Sequence, residues 1–435
     1  MELALKLEDL LHTSAPRSDL KAWRFDLHDT AGIEVGLKNN RIGGPYSAPS
    51  YKKSISGELF LIWEKNRYTS AKLDAQVIAG FEDYFKLWQS TAFYDADGVG
   101  LFTPAQLPEV PLVDQPAREI ASGISATPFQ LLDEGYRQLT GRYQAYKVDG
   151  KVRCYQDRRV IINSAGLHLD YLQTPVEFYF EMNDCYGESY QEKRWPEDDK
   201  IRRIIDNTGQ IGMKLGTQTT AKLTGPIRLL LPSAVFEMFL NYFLIENLFG
   251  SLVMNRQSRY TLEDFTGQRM VLREDLSLTL NTLLPYRAFS YPCTAEAVPG
   301  GEMTLIDCGR LGTPFLNLKY ANKAGMKPTP IPSGGRGFFL KTRQPLPSWD
   351  QLVAGTESGL IVYSVLGLHT QDFSTGSFSL TADQCLLVQN GEIVGKVKAV
   401  INGDFLGSLL SPESKLGSFP DEDNPGYSFI ATAAT

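Results

Sequence analysis

Apolar residues recur at Leu3, Leu7, Leu10 and Leu11, the spacing of one helical face, and Pro16 ends that run. The pattern then switches to period two. Residues 22–27, 33–37 and 55–63 read as strands, with turn-forming residues at 39–45. Asn66-Arg67 turns the chain back into a strand at 68–73. Asp74 then stands as an N-cap before an apolar stripe of Val77, Ile78, Phe81, Tyr84, Phe85 and Trp88. A helix laid on an antiparallel sheet is the layer pair this order predicts.

Four prolines between 103 and 120 mark a connector. Thr127-Pro128 reads as an N-cap followed by Pro at the first helical position, opening a helix to about residue 139. Residues 142–148 and 151–156 read as strands joined by an Asp149-Gly150 hairpin turn, and 160–163, 167–172 and 176–182 continue the meander. From Pro196 a helical pattern runs through Ile201, Ile204, Ile205, Met213 and Leu215. Gly209 and Gly212 lie inside it and cost about 1 kcal/mol each against Ala, which marks a place for a break.

Residues 229–231 form a short buried strand stopped by Pro232, and 233–249 is apolar almost all round, the pattern of a buried helix. Beyond Gly250 short strands with Gly and Pro turns take over: 304–307 with 315–320, then 337–342, 359–365, 377–380, 385–388 and 393–401. Asn390-Gly391 turns the chain between the last two. The pattern therefore predicts an α+β protein without internal repeats. An N-terminal antiparallel sheet with packed helices occupies 1–223. A C-terminal β-rich domain, curled or sandwich-like with a buried central helix, occupies 224–435. At roughly 150 residues per domain, a chain of 435 residues fits two or three domains.

Composition narrows the function. Lys and Arg number 43 against 50 Asp and Glu, a net charge of −7, so bulk attraction to nucleic acid is excluded. The basic pairs Arg158-Arg159 and Arg202-Arg203 read as solvated faces. The five cysteines, Cys154, Cys185, Cys293, Cys308 and Cys385, are odd in number with no CxxC, which points to reduced thiols and a cytoplasmic protein. The opening MELALKLEDLL carries acids among its leucines and no small-residue cleavage site, so a signal peptide is not expected. No membrane span is expected either, since Pro232, Glu237, Asn241 and Glu246 interrupt even 229–249.

Candidate chemistry is sparse. Tyr94-Asp95-Ala96-Asp97-Gly98 suggests a calcium loop, but counting from Asp95 puts Val99 at position 5 and Gln106 at position 12, so a surface turn is the better reading. His12, His28 and His168 lie far apart on ordinary elements and read as structural. His369 precedes Asp372, Ser374 and Ser377, yet residues so close in sequence rarely converge on one proton path, and no GxSxG elbow is present. Cys385 could pair with His369 as nucleophile and base, but beside Leu386 and Leu387 it reads as core. Gly334-Gly335-Arg336-Gly337 lacks the Lys-Ser/Thr of a phosphate loop and reads as a flexible turn.

The order of short motifs resembles the TldD/PmbA family, also called modulators of DNA gyrase, and within it the PmbA/TldE-like branch. Asn163-Ser164-Ala165-Gly166 is similar to its NSxG turn. Leu223-Thr224-Gly225-Pro226-Ile227 with Leu230-Leu231-Pro232 resembles the strand before its central helix. Ile306 to Gly309 with Leu316, Ala321 and Gly325 resembles its IxxGxL…L…A…G hairpin. Thr375-Gly376-Ser377-Phe378-Ser379, Val388-Gln389-Asn390-Gly391-Glu392-Ile393 and Val400-Ile401-Asn402-Gly403 are similar to its TG(D)xS, IENGEI and TIxGN segments. Ser377 departs from an acid common there, and Lys396 from a frequent Pro.

The resemblance implies a metallopeptidase family whose active members carry HExxxH on the central helix, two His holding Zn²⁺ and the Glu taking a proton from bound water. Here that helix reads SAVFEMFLNYFLIENLFG, without a histidine. The resemblance then implies a non-catalytic subunit with no cofactor of its own, zinc being expected in a TldD-type metallopeptidase partner, and unfolded peptides or leader peptides as substrate. A homodimer is compatible with the same reading. Thr375, Gly376, Ser377, Phe378 and Ser379 are the expected peptide-binding segment, an extended edge that could pair with a peptide backbone. Two other readings stand beside this one: a hydrolase using Cys385 or a serine with His369, and a free-standing peptide-binding or scaffold protein.

Overall fold

The period-two runs of the first half pair into one nine-stranded antiparallel sheet in the computed structural model, which describes residues 2–45, 47–123, 125–219 and 221–435. Its spine is a single strand, Leu20–Lys38, flanked by Ser50–Trp63 and Val148–Asn163. The two short strands expected at 22–27 and 33–37 are therefore one. The polar residues between them stay in register, Asp29 opposite Ile55 and Arg158, and Gly32 opposite Lys52 and Tyr155. Trp23, Phe25, Leu27, Ile33, Val35 and Leu37 share one face, and all are buried. Helices Glu2–Ser14 and Phe81–Ser90 cover one half of that face, and Gln115–Ala121, Thr127–Gly141 and Asp198–Gly216 the other. The opposite face carries Arg24, Asp26, His28, Thr30 and Glu34.

Asp149-Gly150 is not a turn. Both lie inside Val148–Asn163, with Gly150 opposite Leu37 and Phe180. The turn is next door at Asn39-Asn40, both with positive φ (48° and 65°). The Asp149 carboxylate accepts from the Asn39 N–H at 2.6 Å and pairs with Lys38, so Asp149 serves a neighbouring turn rather than its own. The connector contains the helix Gln115–Ala121, capped by the Asp114 carboxylate. Thr127 is the first residue of its helix, and Ser125 Oγ accepts the Thr127 N–H at 3.2 Å.

The helix Asp198–Gly216 runs unbroken through both glycines. A Cβ on Gly209 would lie 2.2 Å from the Tyr143 ring, so glycine is there for close approach, not for a hinge. This helix is a wedge between layers. Ile201, Ile204 and Ile205 join the core of the first sheet, and Leu215 joins Leu230, Ile361 and Leu386 of the second.

In the second half, Thr224–Leu231 pairs parallel with Ser358–Leu366 and antiparallel with Gly426–Ala434, a strand not expected from the sequence. Ser377–Gln389 and Glu392–Asp404 run between them, so five strands close into a barrel-like ring, with Lys415–Gly417 added at Gly426–Ala434. Asn390-Gly391 makes the expected turn, φ 51° and 80°. A smaller sheet combines Leu276–Asn281, Glu302–Asp307, Arg310–Leu311 and Phe338–Thr342. The strand expected at 315–320 is instead the start of a helix, Leu318–Ala324, capped by the Asn317 side chain and ended by Gly325 in the left-handed conformation. Among the described residues no helix is long and apolar enough to cross a membrane.

Candidate functional site

The strand Thr224–Leu231 stops at Pro232 because proline has no N–H to donate, and the Pro232 carbonyl accepts from Phe236 N at 2.8 Å to begin the central helix. That helix runs as α over Ser233–Leu240, widens to a π turn over Asn241–Ile245 and tightens over Glu246–Leu248. Phe236, Phe239, Leu240, Phe243, Leu244, Ile245 and Leu248 are fully buried against the inner barrel residues Leu229, Leu387, Phe378, Tyr427 and Phe429 and against Phe405 of the short helix Phe405–Ser408. As expected, the helix is a core element.

Only two of its residues, Glu237 and Glu246, carry charge. Glu237 faces a cavity of about 530 Å³ walled by the strand Tyr186–Glu192, the start of Asp198–Gly216, the segment 287–289, Arg336 and the loop 421–424. Its Oε1 accepts from Asn424 Nδ2 at 2.9 Å, and Asn424 is itself held by the Phe338 carbonyl and the Leu340 N–H. Burial raises the Glu237 pKa against that hydrogen bond. Glu188, on the same wall, is pushed up to about 7 by burial, although the Tyr186 hydroxyl (2.9 Å) and Asn207 (3.4 Å) donate to it. Burial raises Glu192 as well, and Arg287 opposes it. Arg287 pairs with both Glu192 and Asp423, and Arg203 with Asp421.

Burial thus raises three carboxyls of this wall, Glu188 to about 7, while Arg203 and Arg287 are already paired with acids. No imidazole or thiol lines the cavity. Among the described residues no group of three or more His, Cys, Asp and Glu side chains stands close enough to share a metal ion. Neutral imidazoles or thiolates are what hold Zn²⁺ firmly, so the donor set around Glu237 does not fit that ion.

The four histidines lie elsewhere. His12 is exposed and stands edge-on to Trp23 at 5.1 Å. His28 Nδ1 lies 2.9 Å from Asp157 Oδ2 on the polar face of the first sheet. His168 is exposed at a strand start, and His369 is exposed on the turn Leu368–Thr370. Asp372 does not serve His369: its Oδ1 accepts from the Ser374 N–H (2.9 Å) and hydroxyl (2.7 Å). Cys385 is fully buried, donates to the Val397 carbonyl at 2.8 Å and has its thiol pushed up to about 12 by burial, the reverse of what a nucleophile needs. Asp95 forms the expected surface turn, accepting from the Asp97 and Gly98 N–H groups and pairing with Lys319.

The segment 375–379 opens the strand Ser377–Gln389. Its neighbour Ser358–Leu366 reaches only as far as Leu366 opposite Thr381, so 377–380 projects as an edge. The Ser377 N–H donates to Thr375 Oγ1 at 3.2 Å and the Ser379 N–H to Gln371 Oε1 at 3.0 Å, while Arg259 holds the Thr375 carbonyl at 2.7 Å. Phe378 points inward, edge-on to Phe239 at 5.5 Å, and Gly376 has φ 78° against Leu406. The carboxyl-lined cavity escaped sequence reasoning because its walls come from five distant segments. The one signal was Glu237 itself, one of two charges in an otherwise apolar helix.

Residues 224–414 match the PmbA/TldA metallopeptidase C-terminal domain. "Uncharacterized protein MJ0231" of Methanocaldococcus jannaschii is 23% identical over 259 residues, which are 56% of this chain and 58% of that protein, so the match spans less than two thirds of the relative's length. Among solved structures, TldE from Thermococcus kodakarensis superposes with a TM-score of 0.79 at 16% identity, over 99% of this chain and 100% of that one. A candidate modulator of DNA gyrase from Bacteroides thetaiotaomicron gives 0.77 at 18% identity, over 98% of each chain. Another from Thermotoga maritima gives 0.77 at 18%, over 100% of this chain and 99% of that one. At such identities these likenesses establish the fold.

Proposed function

The chain belongs to the TldD/PmbA family, and from that premise we propose that it is a TldE-like, non-catalytic subunit that pairs with a zinc-bearing TldD-type metallopeptidase and helps hold unfolded peptide for its partner to cut. The observation that carries the proposal is the central helix. Setting Glu237 at the glutamate of HExxxH puts Phe236 and Asn241 where the two histidines would stand. Phe236 is fully buried and stacks on Tyr427 at 4.7 Å. Asn241 offers an amide, a weak ligand for Zn²⁺ beside an imidazole. The position that would grip the ion has become packing, so no hydrolytic step is assigned to this chain.

In this proposal the edge at 375–379 receives an extended segment of substrate once Gln371 swings off the Ser379 N–H, since main-chain pairing suits substrates of no fixed sequence. Residues 1–223 and 224–435 would act as two units, a division supported by the sheets, which draw their strands from either side of it. The five free thiols support action in the cytoplasm.

The test is co-purification of the tagged chain from its native host, followed by casein digestion with the chain, its captured partner and both together. Capture of an HExxxH-bearing protein, and chelator-sensitive digestion that needs it, is the expected result. Chelator-sensitive digestion by this chain alone would overturn the proposal. Chelator-resistant digestion lost in His369→Ala would favour the hydrolase reading instead.

A further inference from the structure

On the polar face of the first sheet lies a second cavity, of about 450 Å³, bordered also by Ala288, Ser290, Tyr291 and Ser333. Four side chains that can be cationic reach it: His28, Arg153, Arg159 and Lys193. Three of them have a carboxylate. His28 meets Asp157 at 2.9 Å, Arg153 meets Glu177 at 2.8 Å, and Arg159 forks onto Asp26 at 2.8 and 3.1 Å. Asp157 is further saturated by Thr30 and Gln173. The remaining acid of the wall, Glu192, turns to Arg287 at 3.1 Å.

Lys193 is left over. Its residue is only 5% exposed, yet its ammonium has no carboxylate within 4 Å among the described residues and donates to the Ser290 carbonyl alone. Burial, aided by nearby Arg159, pushes its pKa down to about 8. A buried ammonium with one neutral acceptor is an expensive arrangement, and ordinarily a chain offers such a group a counter-charge. Here the space where that counter-charge would sit is the cavity itself, bordered by the apolar surfaces of Pro175, Val176 and Tyr291.

We propose that this cavity is a carboxylate-binding site in which the Lys193 ammonium takes a carboxylate of an incoming ligand, the C-terminus or an acidic side chain of a peptide being the fitting source. The site goes beyond the accessory-subunit reading, because a chain with no peptidase partner would bind the same group.

The experiment is calorimetric titration of the full chain at pH 7 with an N-acetylated alanine-rich hexapeptide bearing a free C-terminal carboxylate, its C-terminal amide, the amide with one central Asp, and acetate. The free acid is expected to bind at least tenfold more tightly than the plain amide. Lys193→Met is expected to erase the difference while leaving the melting temperature equal or higher, since it removes an unpaired buried charge. Recovery of binding with the Asp-containing amide identifies a side-chain carboxylate as sufficient. Binding of acetate as tight as that of the peptide points to a small organic acid, with the site intact. Equal affinities for free acid and plain amide, or a free-acid preference that survives in a folded Lys193→Met chain, would overturn the proposal.

Discussion

Replacing Glu188 by Gln tests how dry the wall of the Glu237 cavity is. The carboxyl moves from its ordinary 4.5 to about 7, and burial is the leading cause. Each pKa unit corresponds to about 1.36 kcal/mol, so the full shift is worth about 3 kcal/mol, and about 2 kcal/mol once the partial exposure of this half-buried group is allowed for. The folded carboxyl holds its proton more tightly than the unfolded one. Its contribution to stability is therefore fully present below about pH 4.5 and is lost as pH rises through about 7. Gln mimics the protonated form and does not titrate. It also loses the long 3.4 Å contact with Asn207, but that loss is the same at every pH. Urea unfolding of both proteins from pH 4.5 to 8 should show the variant gaining on the parent by about 2 kcal/mol across the interval. A difference that stays flat to within about 0.5 kcal/mol, the range of ordinary surface changes, would mean that water reaches the carboxyl, and the description of the cavity would fail.

Glu237→Gln keeps an acceptor for Asn424 and should leave casein digestion by the assembled complex within about twofold, whereas a general base would cost about a hundredfold or more. For the peptide edge, Ser379→Pro removes the outward N–H and should weaken substrate capture by the complex, while Gln371→Ala uncovers it and should not; equal capture by both would remove 375–379 from the groove. Phe378 is unsuitable for that purpose, because its buried ring reports on the core. Gly209→Ala forces a methyl against Tyr143 and should cost about 1–3 kcal/mol in urea unfolding, whereas Gly141→Ala, with nothing within 4 Å of the added carbon, should cost little.

What the sequence disclosed was local. Helix Glu2–Ser14, the Asp74 cap and the Asn390-Gly391 turn arise from spacing and from single residues with narrow conformational habits. Pro232 and the apolar run behind it announced the central helix correctly, because burial on every side leaves a pattern that needs no partner to be recognised. What it withheld was long-range. Barrel closure depends on Thr224–Leu231 meeting Gly426–Ala434, two hundred residues on, and neither strand advertises the other. Tyr186–Glu192 was missed because one of its inward positions is Glu188, a carboxyl that faces the cavity. Asp149-Gly150 misled because a carboxylate that caps a turn and one that makes a turn look alike until the neighbouring strand is in place.

The two cavities share Gln191, Glu192 and Ala288, so the Glu192–Arg287 pair is the partition between them. That partition makes a sharper test of Lys193 than deleting Lys193 does. Arg287 lines the Glu237 cavity and does not line the Lys193 cavity, yet it decides where the Glu192 charge points. Remove Arg287 and Glu192, whose field already raises the Lys193 pKa, becomes the nearest anion without a cation of its own. It would then occupy Lys193 from within and compete with any incoming carboxylate. Arg287→Gln should thus weaken the free-acid hexapeptide about tenfold, although the changed residue never touches it. Adding Glu192→Gln should restore binding, since the internal competitor is gone while Lys193 remains. A mere loosening of the fold would predict the opposite, with the double variant weaker than the single one. If the double variant binds no better than Arg287→Gln alone, Glu192 is not the charge that Lys193 lacks, and the account of why its ammonium stands open is wrong.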